Sequence, residues 1–289
     1  MSLTVIRSIA ELQKQILQYK KQQSIEQKIG FVPTMGNLHQ GHIDLVDCAR
    51  EKADVVVVSI FVNPMQFGAG EDLESYPRTL DVDIEKLTAA AADVLFVPDV
   101  NEIYGEDMSA STQVVVPKLT SLWCGASRPG HFDGVTTIVN KLFNLVRPDI
   151  AVFGEKDFQQ LTIIRKMAAD LNMAVEILGV ATRRETDGLA MSSRNGYLTV
   201  NEREQAPKLR EQLLSIEKKL KSEKQPKFHD IEKKTILALN NAGFNIDYLA
   251  ICRQSDLMPA EPGDRQLVVL AAAFLGKTRL IDNLVVILD

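Results

Sequence analysis

The chain has 289 residues, of which 45% are hydrophobic and 25% are charged, and these proportions are ordinary for a soluble globular protein. That length is enough for two domains or one large domain, with a sizeable hydrophobic core. The formal net charge of −5 at pH 7 disfavours a protein that coats nucleic acid, because such a surface carries a clustered basic excess. We therefore expect no nucleic-acid partner, although a local basic pocket is compatible with this charge.

The cysteines and the apolar runs exclude several other classes of protein. Cys48, Cys124 and Cys252 are far apart and form no C-x-x-C pair, so we predict three small buried side chains rather than a disulfide or zinc framework. Residues 1–7 lack the apolar core of a signal peptide. The apolar run 267–275 is far shorter than the ~20 residues needed to cross a bilayer. The sequence therefore predicts a soluble, cytoplasmic protein with no membrane partner.

Apolar, β-branched runs alternate with helical spacing through the first 180 residues. Apolar residues recur every three or four positions over 80–91, 138–146 and 161–171, and Pro148 ends the second of these helices. The predicted strands are 29–32, 55–60, 94–97, 150–153 and 175–178. Such alternation predicts the α/β class, here a Rossmann-like doubly wound parallel sheet covered on both faces by helices.

The pattern changes after residues 181–188. An amphipathic helix is predicted over 209–220, followed by a polar break at 221–227. Three strand-like runs follow at 246–251, 267–274 and 284–288. We predict a smaller C-terminal α+β domain, with domain limits of 1–181 and 182–289, and a site in the cleft between the domains.

A turn with two histidines lies between the first predicted strand and a helix that begins near residue 43. This histidine turn, residues 34–42, reads Thr-Met-Gly-Asn-Leu-His-Gln-Gly-His. Free backbone N–H groups and the helix dipole face an anion at such a junction, so the turn suits a phosphate chain. His39 and His42 can each donate to phosphate oxygens and carry a proton near neutral pH. The H-x-G-H pattern is shared by enzymes that attack the α-phosphorus of a nucleoside triphosphate. A chance pair of histidines, or a zinc site with Cys48, is the alternative.

Three more segments lie at the ends of predicted strands or near the predicted second domain. They are residues 59–67, 153–160 and 191–195. With the histidine turn, in this order, they resemble the pantothenate synthetase family (pantoate–β-alanine ligases) of the H-x-G-H nucleotidylyltransferase superfamily. The resemblance runs from residue 29 to about 198 and continues more weakly to 279–283.

That resemblance implies a ligase. Its reaction would condense (R)-pantoate with β-alanine at the expense of ATP, giving pantothenate, AMP and pyrophosphate through a non-covalent pantoyl adenylate. The first predicted domain would bind ATP and pantoate, and the second would close over the site. The resemblance also implies Mg²⁺ with ATP as co-substrate, no organic prosthetic group, and a homodimer.

The resemblance assigns the catalytic roles to charged and hydroxyl-bearing residues. It gives His42 the role of proton donor, with His39 on the phosphate chain. The residue types fit, because Lys156 is a compact positive charge and Arg194 offers a planar guanidinium to departing phosphates. An ordinary surface lysine is the alternative for Lys156. The catalytic set is His39, His42, Lys156, Ser192, Ser193 and Arg194.

The nucleotide is assigned by resemblance to three segments and one isolated position. Asp157 is expected at the ribose and Arg183 at the adenine side, where the family usually has an apolar residue. Ala181 likewise stands where proline is usual, which weakens the adenine-side assignment. The ATP-binding residues are Met35, Gly36, Asn37, Leu38, His39, Gln40, Gly41, His42, Gly154, Glu155, Lys156, Asp157, Arg183, Met191, Ser192, Ser193 and Arg194.

The acid and amine substrates are assigned to neutral polar residues. Gln66 and Gln160 resemble the pair that holds pantoate, and Gln66 should also lie near the β-alanine pocket. Neutral amides orient a hydroxy acid without quenching its carboxylate. Asn63 and His131 complete the pocket by resemblance, although His131 has an equal claim to be a capping residue. Asp83 matches an acidic position associated with Mg²⁺.

The adenylate would react with water, so a covering segment is expected. The glycine-rich loop, residues 66–72, is a candidate gate, and a plain surface turn is the alternative. Two other functions fit H-x-G-H: a nucleotidylyltransferase acting on phosphate monoesters, and a non-catalytic ATP-sensing module. The paired glutamines disfavour the first, and the complete set of catalytic residue types disfavours the second.

Overall fold

The structure is a computed structural model that describes residues 3–21, 27–223 and 225–288. Two predictions include residues outside these ranges. The predicted domains begin at residue 1 and end at residue 289, and the predicted polar break contains Lys224. The first six strands are β1 (Thr4–Ile6), β2 (Ile29–Thr34), β3 (Val55–Ile60), β4 (Val94–Phe96), β5 (Ile150–Gly154) and β6 (Glu176–Val180). The helices beside them are α1 (Ile9–Lys21), α2 (Gln40–Lys52), α3 (Leu80–Ala89), α4 (Val100–Tyr104), α5 (Trp123–Ser127), α6 (His131–Val146) and α7 (Phe158–Asp170).

The six strands form one parallel sheet in the order β1-β4-β3-β2-β5-β6. Every residue of β3 is buried, as a central strand covered on both faces requires. The chain runs outward from β2 through β3 to β4 and then returns to β5 on the other side of β2. A crevice therefore opens between the loops that follow β2 and β5. The predicted α/β fold class is confirmed.

The C-terminal part contains α8 (Val200–Gln205), α9 (Lys208–Ser222), α10 (Phe228–Asn241), β7 (Phe244–Arg253), β8 (Gln266–Leu275) and β9 (Thr278–Ile287). Its three strands form an antiparallel sheet with β8 in the centre. One face packs against α9 and α10. On the other face, Cys252, Val268 and Leu270 join the same hydrophobic cluster as the N-terminal sheet. The smaller sheet is thus buried on both faces.

Several predicted boundaries differ from the observed ones. The apolar pattern predicts the last strand at 284–288, but β9 begins at Thr278. The pattern misses this start because the polar residues Arg279 and Asp282 interrupt it, and both have hydrogen-bond partners elsewhere in the fold. The helix predicted over 80–91 ends at Ala89, and Ala91 has a φ of 55°. Cys124 and Cys252 are buried and Cys48 is half-buried, and all three are free thiols. In the described part of the chain, no helix is long and apolar enough to span a membrane.

Candidate active site

The histidine turn is held in shape by a buried carboxylate. It follows β2 directly, and Gly36 and Asn37 adopt φ values of 83° and 51°, a region that favours glycine. Asp83 on α3, 1% exposed, accepts from the backbone N–H of Asn37 at 2.9 Å and of Leu38 at 2.8 Å. The Thr79 hydroxyl donates to the same carboxylate at 3.2 Å. The turn is therefore built before any ligand arrives.

These contacts give Asp83 a structural role that the sequence did not indicate. Both carboxylate oxygens face N–H donors of the turn, and the side chain is sealed from solvent. In the described parts of the chain, no group of three His, Cys, Asp or Glu side chains is arranged to hold a metal ion. The zinc alternative at His39, His42 and Cys48 finds no support in this geometry, and the assignment of Asp83 to Mg²⁺ stays a prediction, because one carboxylate with substrate phosphates can hold that ion.

The two imidazoles form a pair at the start of α2. Their ring centroids are 4.1 Å apart. Nδ1 of His42 accepts from the backbone N–H of His39 at 3.2 Å. An accepting Nδ1 has no proton, so in the neutral ring Nε2 carries it and is a donor. The fold thus fixes the tautomer of His42.

Both imidazoles are neutral at pH 7 in this structure. Burial lowers the pKa of His39 to about 4, and the positive charge of Lys156 acts in the same direction. Burial also lowers the pKa of His42 to about 3, with the neighbouring His39 as the next cause. The sequence does not reveal this burial, and the predicted proton-donor role of His42 in the presence of ATP stays a prediction.

Only part of the histidine turn faces a cavity. A small cavity of about 230 Å³ is lined by Met35, His39, Gly41 and His42. The other predicted ATP-binding residues of the turn, Gly36, Asn37, Leu38 and Gln40, do not line it. Leu38 is buried, and Gln40 is exposed and donates to Asp44.

The second predicted segment follows β5. Glu155, Lys156 and Asp157 form one turn of 3₁₀ helix before α7, which we call the lysine turn. The Lys156 ammonium lies 3.8 Å from the Asp157 carboxylate, and both residues line the small cavity, as Gly154 does. The Glu155 side chain does not line it. Asn283 of β9 donates to the backbone carbonyls of Glu155 at 2.8 Å and Lys156 at 2.9 Å.

The third segment, residues 191–194, is here called the arm. It reaches the histidine turn from the C-terminal side of the chain. The Ser193 hydroxyl donates to the Asn37 carbonyl at 3.2 Å. All four residues of the arm line the small cavity. The structure therefore brings the histidine turn, the lysine turn and the arm around one space. Arg183 lines the same cavity, and its guanidinium lies 3.8 Å from the carboxylate of Asp44.

The glycine-rich loop is tied to the cavity walls by two ion pairs. Arg194 of the arm donates to both carboxylate oxygens of Asp72, at 3.0 and 2.8 Å. Arg128 donates from Nε to Glu71 at 2.6 Å and forms a second contact through Nη2. The loop is thus more than a plain surface turn, and whether it opens and closes as a gate stays a prediction.

Gln66 lies at the base of the small cavity in a fixed orientation. Its amide nitrogen donates to the Met35 sulfur at 3.2 Å, and its oxygen accepts from Asn63 at 3.2 Å. Asn63 also donates to the Gly134 carbonyl at 3.1 Å and accepts from the Tyr104 hydroxyl at 2.7 Å. Asn63 is 1% exposed. Asn63 thus supports Gln66 and also lines the small cavity, and its predicted contact with the substrate stays a prediction.

His131 supports the same residue from the other side. Its Nδ1 lies 2.7 Å from the Gln66 carbonyl and its Nε2 lies 3.0 Å from Arg128. Burial and the Arg128 charge lower its pKa to about 4. A neutral ring that donates from Nδ1 and accepts at Nε2 satisfies both contacts. The ring lines a larger neighbouring cavity of about 690 Å³ rather than the small one.

Two adjacent glutamines on α7 have opposite environments. Gln159 is buried and its amide bonds the backbone of Leu119, Leu122 and Cys124. Gln160 lines both cavities. The structure therefore separates a glutamine that holds a loop from one that is available to a ligand. Of these two neighbours, Gln160, the residue predicted to bind pantoate, is the one that a ligand can reach.

Two polar residues at the site, Tyr76 and Asn283, had no assigned role in the sequence interpretation, whereas Asp72 and Arg128 lie in segments already expected at the site. Asp72 and Arg128 form the ion pairs of the glycine-rich loop, and Asn283 holds the lysine turn. Tyr76 lines the small cavity, with the Arg194 guanidinium 6.0 Å from its ring centroid. Of Tyr76 and Asn283, it was Asn283 that carried a signal in the sequence, because it ends the weak match at 279–283.

Comparison with known proteins assigns the family. The sequence model of the family described as pantoate-beta-alanine ligase matches residues 4–285. The chain belongs to the pantoate–β-alanine ligase family. Curated members include the pantothenate synthetases of Idiomarina loihiensis, 52% identical over 282 residues, and of Marinobacter nauticus, 53% identical over 282 residues. These alignments cover 98% of this chain and 97% and 99% of those proteins.

Solved structures agree with this assignment. A pantothenate synthetase from Thermus thermophilus superposes with a TM-score of 0.88 at 43% identity, covering 97% of this chain and 98% of that one. The pantoate–β-alanine ligase of Francisella tularensis, solved with beta-gamma ATP and β-alanine, gives 0.79 at 33% identity and covers 98% of each chain. As a member of the pantoate–β-alanine ligase family, the protein is a ligase that forms a carbon–nitrogen bond. The two alternative functions are set aside.

Proposed function

We propose that this chain joins pantoate to β-alanine in two steps at the small cavity, through a pantoyl adenylate. A pantoate carboxylate oxygen attacks the α-phosphorus of ATP, and the bond to the bridging oxygen breaks to release pyrophosphate. The β-alanine amine then attacks the acyl carbon, the amide bond forms, and AMP leaves. The observation that carries this proposal is the convergence of the histidine turn, the lysine turn and the arm on one space.

Positioning and electrostatics supply most of the catalysis in this scheme. We assign to His42 a hydrogen bond from Nε2 to a phosphate oxygen, because its other nitrogen already accepts from the backbone. We assign His39, the neighbouring imidazole, to the phosphate chain as well. Lys156 and Arg194 neutralise the triphosphate, and Ser192 donates to the departing pyrophosphate. Ser193 does so by releasing the Asn37 carbonyl, to which its single hydroxyl hydrogen is bonded. The negative charge of bound ATP would raise the pKa of both imidazoles.

The wall of the small cavity suits the carbon skeleton of pantoate. Phe61, Val135, Ile138 and Val139 form an apolar surface opposite the polar groups of the cavity. Pantoate carries two methyl groups on one carbon, and these would pack against that surface. The amides of Gln66 and Gln160 would then orient its hydroxyl and carboxylate groups.

ATP is the co-substrate, and we assign Mg²⁺ to its phosphate oxygens rather than to a resident protein site. Mg²⁺ retains several waters and is commonly held by substrate phosphates with one or two carboxylates. The described residues do not fit a dedicated metal site.

An isotope experiment tests the intermediate. Pantoate labelled with ¹⁸O in the carboxylate should transfer one labelled oxygen to AMP, because that oxygen stays on phosphorus when the amine displaces AMP. Unlabelled AMP formed together with pantothenate would rule out an acyl adenylate. The same assay without β-alanine should give pyrophosphate release in amounts close to the enzyme concentration.

The homodimer, the cytoplasmic location and the domain limits 1–181 and 182–289 stay proposals that rest on family resemblance and on the chain pattern. Light scattering of the purified protein tests the first. A single peak at the monomer mass of 32.1 kDa would contradict it.

A further inference from the structure

A residue of the C-terminal sheet fixes the backbone of the lysine turn. Asn283 of β9 is 8% exposed and uses its side-chain amide nitrogen as the donor to two successive carbonyls, those of Glu155 and Lys156. That nitrogen has two hydrogens, so each carbonyl receives one. The two residues of the turn lie 128 and 127 positions away in the chain. This contact therefore crosses from the smaller sheet to the nucleotide side of the site.

A buried ion pair holds Asn283 in turn. The backbone N–H of Asn283 donates to Asp282 at 2.8 Å. Asp282 also accepts two hydrogen bonds from Arg184, at 2.8 and 2.9 Å, and the two side chains are 4% and 21% exposed. A bidentate pair of this kind defines the orientation of both groups.

The ion pair extends the network to the arm. Arg184 also donates to the Gly188 carbonyl at 3.0 Å. The backbone carbonyl of its neighbour Arg183 accepts from the backbone N–H of Met191 at 2.9 Å, where the arm begins. One set of hydrogen bonds and chain neighbours thus joins the lysine turn to the segment that carries Ser192, Ser193 and Arg194.

We propose that Asn283 is a positioning residue for adenylate formation and acts through Lys156. It need not contact the substrate, since both hydrogens of its amide are used by the lysine turn. By fixing the two peptide planes on either side of the Lys156 α-carbon, it sets the direction in which the ammonium leaves the backbone. This inference rests on the proposed role of Lys156 with the triphosphate.

Two substitutions separate this role from packing. Asn283→Asp keeps the shape but replaces the donor with oxygens that face two carbonyls, and Asn283→Ala removes the group. Both should slow pantoate-dependent ATP–pyrophosphate exchange about 10- to 100-fold, since small displacements of a positioning group have effects of this size. Asn245→Ala is the matched control, because Asn245 is an exposed asparagine of β7 in the same sheet.

The second half-reaction separates the two explanations. A general loss of packing would slow both half-reactions, whereas misplacement of Lys156 would slow only adenylate formation. Enzyme is loaded with ATP, pantoate and pyrophosphatase, and then mixed with β-alanine in a quenched-flow experiment. Amide formation from the loaded adenylate should stay within about threefold of the unsubstituted rate, because pyrophosphate has already left. Equal slowing of both half-reactions, or no slowing of exchange in a folded variant, would overturn the proposal.

A double-mutant cycle identifies the residue through which Asn283 acts. In a Lys156→Ala background, Asn283→Ala should change the exchange rate by less than about twofold, because the two effects share one route. An undiminished further loss in that background would overturn the inference while leaving the role of Lys156 intact. A normal exchange rate for Lys156→Ala alone would instead reject the proposed function of Lys156, and the inference about Asn283 with it.

Discussion

The histidine turn and the arm contact the same cavity but are held in different ways. The turn follows β2 and is fixed by the neighbouring helix α3, because the backbone N–H groups of Asn37 and Leu38 donate to the buried carboxylate of Asp83. The arm is held by the ion pair between Arg194 and Asp72, whose side chains are 31% and 22% exposed. The histidine turn therefore has its shape before a ligand arrives. The Arg194 guanidinium, by contrast, already has an anionic partner in Asp72.

This contrast indicates where binding has to change the molecule. A phosphate chain can meet the histidine turn without displacing a protein group. At Arg194 it would have to compete with the Asp72 carboxylate, which presents two oxygens to the same donors. Partly exposed ion pairs contribute little to stability, so the exchange costs little.

The largest expected effect comes from the preformed side. We expect His42→Ala to slow adenylate formation by about 10²–10³-fold, because it removes a donor aimed at the reacting phosphate. His229→Ala is the control, since that histidine is on the surface, with 74% of its side chain exposed. ATP–pyrophosphate exchange and thermal melting are measured together. Parallel losses of activity and stability would mean that His42 is structural.

An intermediate effect is expected at the group that builds the turn. Asp83→Asn replaces one accepting oxygen by an NH₂ group that faces a backbone N–H, and we expect a loss of about 1–3 kcal/mol in the free energy of unfolding by urea. Exchange activity should fall about tenfold through misplacement of the turn. The half-saturating Mg²⁺ concentration should not change. A large increase in that concentration would support Asp83 as a Mg²⁺ ligand.

A smaller effect, of opposite sign, is expected on the exchangeable side. Asp72→Asn should weaken the competitor for Arg194 and lower the KM for ATP by about two- to fivefold, the size expected of a partly exposed pair. Asp47→Asn, on the exposed face of α2, is the control. The gain should shrink at high salt, where the native pair is screened. A raised KM would show instead that Asp72 assists nucleotide binding.

The smallest expected effect concerns pH. The pKa values of His39 and His42 are about 4 and about 3 in the folded chain, against about 6.5 when unfolded. The unfolded chain therefore binds more protons between these values, so the free energy of unfolding should fall as pH falls from 6.5 toward 3. We expect the loss in melting temperature from about pH 7 to about pH 5 to be about 2–4 °C smaller in His42→Gln than in the unsubstituted protein. An unchanged loss would place the pKa of His42 near its ordinary value.

Local patterns in the sequence were sufficient for the fold and for the main segments of the site. The apolar run 55–60 is continuous because β3 is covered on both faces, and the histidine turn is recognisable because its glycines and histidines are adjacent in the chain. The convergence of the histidine turn and the lysine turn also follows from the sequence, since parallel strands present their ends on one edge, whereas the arm does not directly follow a strand of that sheet.

What the sequence did not show depends on contacts between distant residues. Asp83 bonds the turn from 45 and 46 positions away, so no local pattern indicates that its carboxylate supports the turn. The protonation of the histidines depends on burial, which the turn alone does not specify. The start of the last strand, at Thr278 rather than at residue 284, was hidden because the polar residues near it are matched by partners across the fold.

The sheet order has one further consequence. The crevice exists because the chain leaves β2 on one side and returns on the other, so its location is a property of the backbone route and not of any side chain. Substitutions within it can therefore alter which molecule is held, and how fast it reacts, without moving the place where reactants meet. A ligase of altered substrate preference is best sought by replacing the apolar residues of α6, with the strands left intact.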